Sequence, residues 1–320
     1  MLKLPKIDIP KNQNGQALLI VLLTMTVVLT IVLSVVSRSV TDISITTYGE
    51  DAQRAFDAAE AGIERVLLTG SNQSDSLGDA EYDAGLSFPL PSSNQVVYPT
   101  DILAGESATF WFVAHDANGD LYCGGGDCLR SNQILQICWG EPGTLLNDLT
   151  PAVEISLFYD VSLGVDDSPN NFSGVKIARL AYDPYSGRPG ENNFRVTSAV
   201  CSGGIEGKNF AFSTGQINLN NSTPPNVNLD CPPTLPGCLI MAKVRLLYNH
   251  NSGTGVSIPH PVGIQMNPTG GTHLPSQGTQ IDSVGSSGGS TRKVNVFQGY
   301  PEPPFVFESA IFGQGGLSKP

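Results

Sequence analysis

Residues 15–38 read GQALLIVLLTMTVVLTIVLSVVSR, and the twenty positions Ala17–Val36 within them carry no charge. At about 1.5 Å per residue a helix of that length crosses the roughly 30 Å hydrocarbon core of a bilayer. A helix also satisfies its backbone polar groups within one segment, which lipid demands. Thr24, Thr26, Thr30 and Ser34 interrupt the aliphatic run without opposing it, because each hydroxyl can bond back to its own helix.

Upstream lies a basic leader, residues 1–15, in which Lys3, Lys6 and Lys11 face only Asp8. Cationic flanks stay in the cytoplasm, so the expectation is a single-pass protein with a cytoplasmic amino terminus and an extracytoplasmic main domain. The run ends in Val35-Val36-Ser37-Arg38 with no small-x-small cleavage site, no twin arginine and no nearby cysteine. A membrane anchor is therefore expected rather than a secretory signal cleaved behind its apolar core.

Downstream, Arg38–Leu68 contains no proline and places Ala52, Phe56, Ala59, Ile63 and Leu67 in one stripe at helical spacing. Glu50, Asp51, Asp57, Glu60, Glu64 and Arg65 fall mostly elsewhere. The pattern predicts one helix over 16–69, its transmembrane part at 17–36 and its outer part laid on a folded domain by Phe56, Ala59, Ile63 and Leu67. Gly49, beside Thr46, Thr47 and Tyr48, is the expected point of bending, since glycine costs about 1 kcal/mol in a helix interior.

The segment Ala55-Phe56-Asp57-Ala58-Ala59-Glu60-Ala61-Gly62, behind a basic leader and an apolar helix, resembles the type IV pilin and pseudopilin superfamily, in particular its minor pilins. The resemblance covers about the first fifth of the chain. It implies that a prepilin peptidase cuts between Gly15 and Gln16, and that Leu18, Ile20, Leu23, Val27, Ile31 and Val35 then pack among other pilins in a filament core. Most members carry glutamate at the fifth mature position, where this chain has Ile20. A carboxylate in lipid needs a partner, and the family's glutamate is thought to find it at a neighbour's new amino terminus. Its absence favours a tip or low-copy position over a repeating subunit. The alternative is a signal-anchored adhesin or carbohydrate-binding protein that never enters a filament.

After Gly70 the chain turns polar and acidic, and Ser71–Gly85 reads as a loop within a linker at 70–87. From 88 to 320 short β-favouring runs alternate with Gly, Pro, Asn and Ser. Ile155, Leu157 and Tyr159, and again Val244, Leu246 and Tyr248, alternate as strands with one buried face do. The expected fold class is α+β: a long amino-terminal helix followed by an antiparallel, sandwich-like β-rich domain. The Pro/Asn-rich stretch 218–236 is the candidate for an internal boundary.

The chain has a net charge of -12 and 14% charged residues, a poor composition for nucleic-acid binding. Six cysteines, Cys123, Cys128, Cys138, Cys201, Cys231 and Cys238, all lie outside the apolar run and allow 15 pairings if oxidised. Cys123 with Cys128 and Cys231 with Cys238 would close short loops, leaving Cys138 with Cys201 as the economical remainder. Zinc is disfavoured, because neither close pair has Cys-x-x-Cys spacing and no histidine motif accompanies them.

Asp116, Asn118, Asp120 and Asp127 occupy positions 1, 3, 5 and 12 of a loop resembling an EF-hand calcium loop. Leu121 stands where glycine is needed, and Asn118-Gly119 alone explains the segment as a hairpin turn, so calcium is the lesser reading. His115, His250, His260 and His273 lack metal-ligand or nucleophile spacing, and no catalytic residue or other cofactor is expected. Trp111 and Trp139 sit in apolar runs and are expected in the core rather than on a sugar-binding platform. The expected partners are thus the bilayer, prepilin peptidase, other pilins and an unidentified surface ligand.

Overall fold

The computed structural model describes residues 14–89, 94–116, 119–123, 128, 133–161, 174–231, 238–251, 253–268 and 273–302. One helix, Asn14–Thr69, runs for 56 residues. It is continuous through Gly49, the expected point of bending. Thr46 and Thr47 donate to the carbonyls of Asp42 and Ile43 and so reinforce the ladder just before that glycine. Thr24, Thr26 and Thr30 likewise donate to Val21, Leu23 and Val27 in the apolar part. This is the one helix among the described residues long and apolar enough to cross a membrane.

The chain divides into two compact units: Met1–Leu86 with Ile281–Val296, and Ser87–Gln280 with Phe297–Pro320. In the first unit the outer end of the helix meets a four-stranded sheet ordered Gln73–Leu77, Ala80–Ser87, Gly278–Ser287, Ser290–Gly299, of which residues 281–296 belong to this unit. The expected linker at 70–87 is therefore corrected to an antiparallel hairpin, with Gly78 turning it at a positive φ of 64°. Ala80, Tyr82 and Ala84 face inward between exposed Glu81 and Asp83.

The inward face of the helix is Ala55, Ala58, Ala59, Gly62, Ile63 and Val66. Ala58, Ile63 and Val66 form a cluster with Ala80, Tyr82, Ala84 and Ile281. Ala59 and Ile63 are buried as expected for docking residues, whereas Phe56 and Leu67 are turned outward, 39% and 47% exposed. The reason is close approach. A Cβ at Gly285 would collide with the backbone of Ala55 and Ala59, and one at Gly62 would meet Ser283 Oγ and, at 2.8 Å, the Tyr82 ring. Only small side chains fit where the helix comes closest, at Ala55, Ala59 and Gly62; Ile63 and Val66 are buried beside that line, and Phe56 and Leu67 fall outside it.

The second unit holds two larger sheets. One is ordered Arg195–Val196, Val175–Asp183, Ala152–Asp160, Leu239–Leu247, Ser107–Trp111, antiparallel apart from the short first pairing. The other is ordered Phe212–Ser213, Gln133–Trp139, Val262–Pro268, Gln95–Val97, with Ile217–Asn218 also paired to Gln133–Trp139. A single cluster of buried residues draws Val153, Ile155, Leu157 and Val244 from the first and Leu135, Ile137, Trp139 and Ile264 from the second. The Trp139 indole donates to the Pro151 carbonyl at 2.7 Å inside it. The expected boundary at 218–236 is also corrected. Leu219, Leu229 and Cys231 are buried in this same cluster, and residues 232–237 lie outside the described set.

Arg188 ties the loops of this unit together. Its Nε and Nη2 donate to the two carboxylate oxygens of Asp183 at 2.9 Å each, and its Nη1 and Nη2 donate to the carbonyls of Asp148 and Thr150. The guanidinium lies 4.3 Å from the Tyr248 ring centroid. Asp183 also accepts from Tyr185 N and Asn192 Nδ2, so this buried pair is fully hydrogen-bonded, the condition under which burying two charges is tolerable. Nothing in the sequence spacing of Asp183 and Arg188 marks them as partners.

Candidate functional site

Gly15 and Gln16 lie in the first turn of the long helix, and residues 1–13 of the leader fall outside the described residues. Beyond them Leu18, Ile20, Leu23, Val27, Ile31 and Val35 are all exposed, with no protein surface laid against them. An apolar stretch of this length, exposed along the described helix, is long and apolar enough to cross a membrane.

The cysteines pair as Cys123–Cys128, Cys138–Cys201 and Cys231–Cys238. Cys138 is fully buried on the strand Gln133–Trp139, so the second bridge fastens the segment around Cys201 to the sheet from within. Of the calcium loop, Asn118 and Asp127 lie outside the described residues. Asp116 and Asp120 flank a hairpin turn between Ala114–His115 and Leu121–Tyr122. Asp116 Oδ1 accepts the Asp120 backbone N–H at 3.0 Å, and Gly119 N–H donates to the Asp116 carbonyl. Asp116 thus serves its own turn, and no cluster of three metal-ligating side chains occurs among the described residues.

A feature that the sequence did not disclose is a pair of adjoining cavities in the second unit. The larger, about 810 Å³, has Tyr98, Trp111, Phe297 and Tyr300 on its walls, with Gln277 and Glu302 as polar groups. The smaller, about 510 Å³, is floored by Phe158, Ile240 and Met241 and edged by His115. Trp111 and Glu302 line both. Among the described lining residues neither cavity has a lysine or an arginine.

The polar groups here are held firmly. Gln277 brackets the Trp111 backbone, accepting from its N–H at 2.8 Å and donating to its carbonyl at 3.0 Å. Glu302 Oε2 takes the Thr109 hydroxyl and faces Lys243 Nζ at 3.6 Å, a lysine only 2% exposed in the central strand Leu239–Leu247. Glu206 Oε2 accepts from Val97 N at 3.1 Å. His115 stacks on Tyr300 at 3.8 Å and meets the edge of Trp111 at 4.5 Å. Burial pushes the His115 pKa down to about 4 against the opposing pull of Asp116, so the ring is neutral at pH 7, and its Nδ1 is buried without a hydrogen-bond partner. Burial, with Glu302 and Glu106 adding to it, raises the Tyr98 phenol, and burial raises Tyr300, so both remain donors.

His260 has a different task. Its Nδ1 accepts from Glu141 N–H at 3.2 Å, and burial lowers its pKa, as suits a neutral ring used as an acceptor in the framework. His250 Nδ1 lies 3.1 Å from the Ser257 hydroxyl across a short strand pair. The described histidines therefore do not converge on one centre. No protein-family model, no curated protein and no solved structure matches this chain.

Proposed function

We propose that this protein is a minor pilin-like or pseudopilin-like component of a type IV pilus or related secretion filament, displaying its β-rich part at the cell surface or filament tip. The observation that carries the reading is the division of labour along one helix. Its first part is apolar and bare, and its last part is seated through Ala55, Ala59 and Gly62 on a sheet built from residues both near to and far from it in sequence. Such a helix can be shared between lipid and a bundle of like helices while its domain stays outside. The α+β architecture is then a long helix seated on one sheet in the first unit, with a second unit whose two sheets around one core we read as a sandwich. Three disulfides suit an oxidising, extracytoplasmic setting for that unit. The role is structural, with no catalytic residue and no required metal, and the partners are other pilins, prepilin peptidase and the bilayer.

The test is the mature amino terminus, measured by intact mass and terminal sequencing in cells with and without prepilin peptidase. A terminus at Gln16 that is lost with the peptidase is expected. An unprocessed chain in both strains would overturn the filament reading and leave a plain surface anchor.

A further inference from the structure

We infer that the paired cavities around Trp111 and Glu302 form a binding site for a neutral oligosaccharide. The site goes beyond the filament reading and does not depend on it. The larger cavity, about 810 Å³, falls in the range of roughly 300–1,000 Å³ that takes an organic ligand of several rings. The second cavity shares Trp111 and Glu302 with it, which puts room for a further unit of an extended chain beside the first.

The chemistry of the walls selects the ligand class. Phe297, 36% exposed, and the half-buried Tyr98 and Tyr300, the latter with one face stacked on His115, bring aromatic surface to the walls on which the C–H face of a pyranose can lie, and aromatic rings carry large contact areas at small entropic cost. Gln277 and Glu302 are polar groups already fixed in place by the Trp111 backbone, Thr109 and Lys243, and preorganised polar groups among apolar walls are what orient a ligand. The phenols of Tyr98 and Tyr300, the latter already bonded to Ser276, add hydroxyls to these amide and carboxylate groups. Hydroxyl groups, which both donate and accept, match such a mixture.

Charge narrows the choice. With no lysine or arginine among the described lining residues and a chain net charge of -12, those residues offer an acidic polysaccharide or a phosphate-bearing ligand no cation. Glu302 faces Lys243, which offsets its charge, and Glu206 accepts from the Val97 N–H, so a cationic peptide is the competitor that the test must include.

The two tryptophans make the experiment direct. Both are buried, as expected from their apolar runs, but Trp111, 6% exposed, also borders the site while Trp139 is wholly inside the core, so a change in the intrinsic fluorescence of the full-length protein reports the site over a constant Trp139 background. The protein is held in a polyoxyethylene detergent, which has no sugar headgroup. It is titrated with maltohexaose, cellohexaose, chitohexaose, heparin and a Lys-Trp-Lys peptide amide, the last followed by calorimetry.

At least one neutral hexasaccharide is expected to bind saturably. Its affinity should drop about tenfold or more in Tyr98→Ala and in Phe297→Ser, the scale of losing one stacking face. Phe297 is 36% exposed, so the second variant keeps the test alive if the first fails to fold. Three outcomes would each overturn the inference: no neutral hexasaccharide binding, affinity unchanged in a folded variant, or tighter binding of heparin or the cationic peptide at the same site. None of these bears on processing at Gln16, so the two readings fail separately.

Discussion

Arg188 shows what a single side chain holds together in this protein. It spends all three of its nitrogens on Asp183, Asp148 and Thr150, and stacks on Tyr248 as well. Arg188→Ala would leave the Asp183 carboxylate buried without its cation, a loss of about 3–5 kcal/mol measurable by denaturant unfolding. Arg188→Lys should recover little of it, because an ammonium cannot reproduce the forked pairing. His115 makes a second prediction at this scale. Its pKa in the folded protein, about 4, lies below the unfolded value of 6.5, so the unfolded chain takes up the proton first as the pH falls. Its contribution is therefore neutral above about 6.5 and destabilising on the way down to about 4. His115→Phe, which keeps a ring on Tyr300, should flatten that part of the stability curve. An identical slope in both proteins would mean that the imidazole is not the group responsible. In the sequence His115 is only an isolated histidine; what makes it titrate low is Trp111 and Tyr300, the latter far away along the chain.

At the scale of elements, two glycines in one helix have opposite meanings. Gly49 has nothing within 4 Å of where a Cβ would stand, so Gly49→Ala should stabilise the helix by about 1 kcal/mol, read as a higher thermal midpoint in detergent. Gly62 lies in the seam against Tyr82 and Ser283, and Gly62→Ala should cost about 1–3 kcal/mol by overpacking it. If both substitutions moved stability in the same direction, the seam would not be as tight as described. The same seam explains why its partners are hard to read from sequence. In the Gln73–Ser87 hairpin only the second strand alternates in burial, and its inward residues are Ala80, Tyr82 and Ala84, two of which carry almost no hydrophobic signal. The stripe on the helix is displaced for the same reason, since Phe56 and Leu67 dominate a hydrophobicity pattern while Ala55, Ala58 and Gly62 make the contact. The strand Val262–Pro268 is hidden on other grounds. Val262, Gly263, Ile264 and Met266 are buried with little alternation, and Gly263 and Pro268 read as turn residues.

For the whole molecule, the bridges differ in what they close. Cys138–Cys201 spans a sequence separation of 63 and Cys123–Cys128 one of 5. Restriction of the unfolded chain then predicts a loss of about 4 kcal/mol for Cys138→Ser with Cys201→Ser, against about 2 kcal/mol for the pair at 123 and 128. Comparing the unfolding midpoints of the two double variants checks the order. Long range is also what separates the legible from the illegible here. The amino-acid sequence by itself determined the apolar helix, its length, the β-rich character of the rest of the chain and a cysteine spacing that favours local bridges. These are set by neighbours a few residues apart, through helical period, strand alternation and turn residues. Only the tertiary structure decided that residues 281–296 return to complete the sheet under the helix, that Arg188 is buried on Asp183, and that Tyr98, Trp111 and Glu302 wall one cavity. Those arrangements depend on close approach and desolvation between distant segments, for which no local pattern in the chain carries a signal.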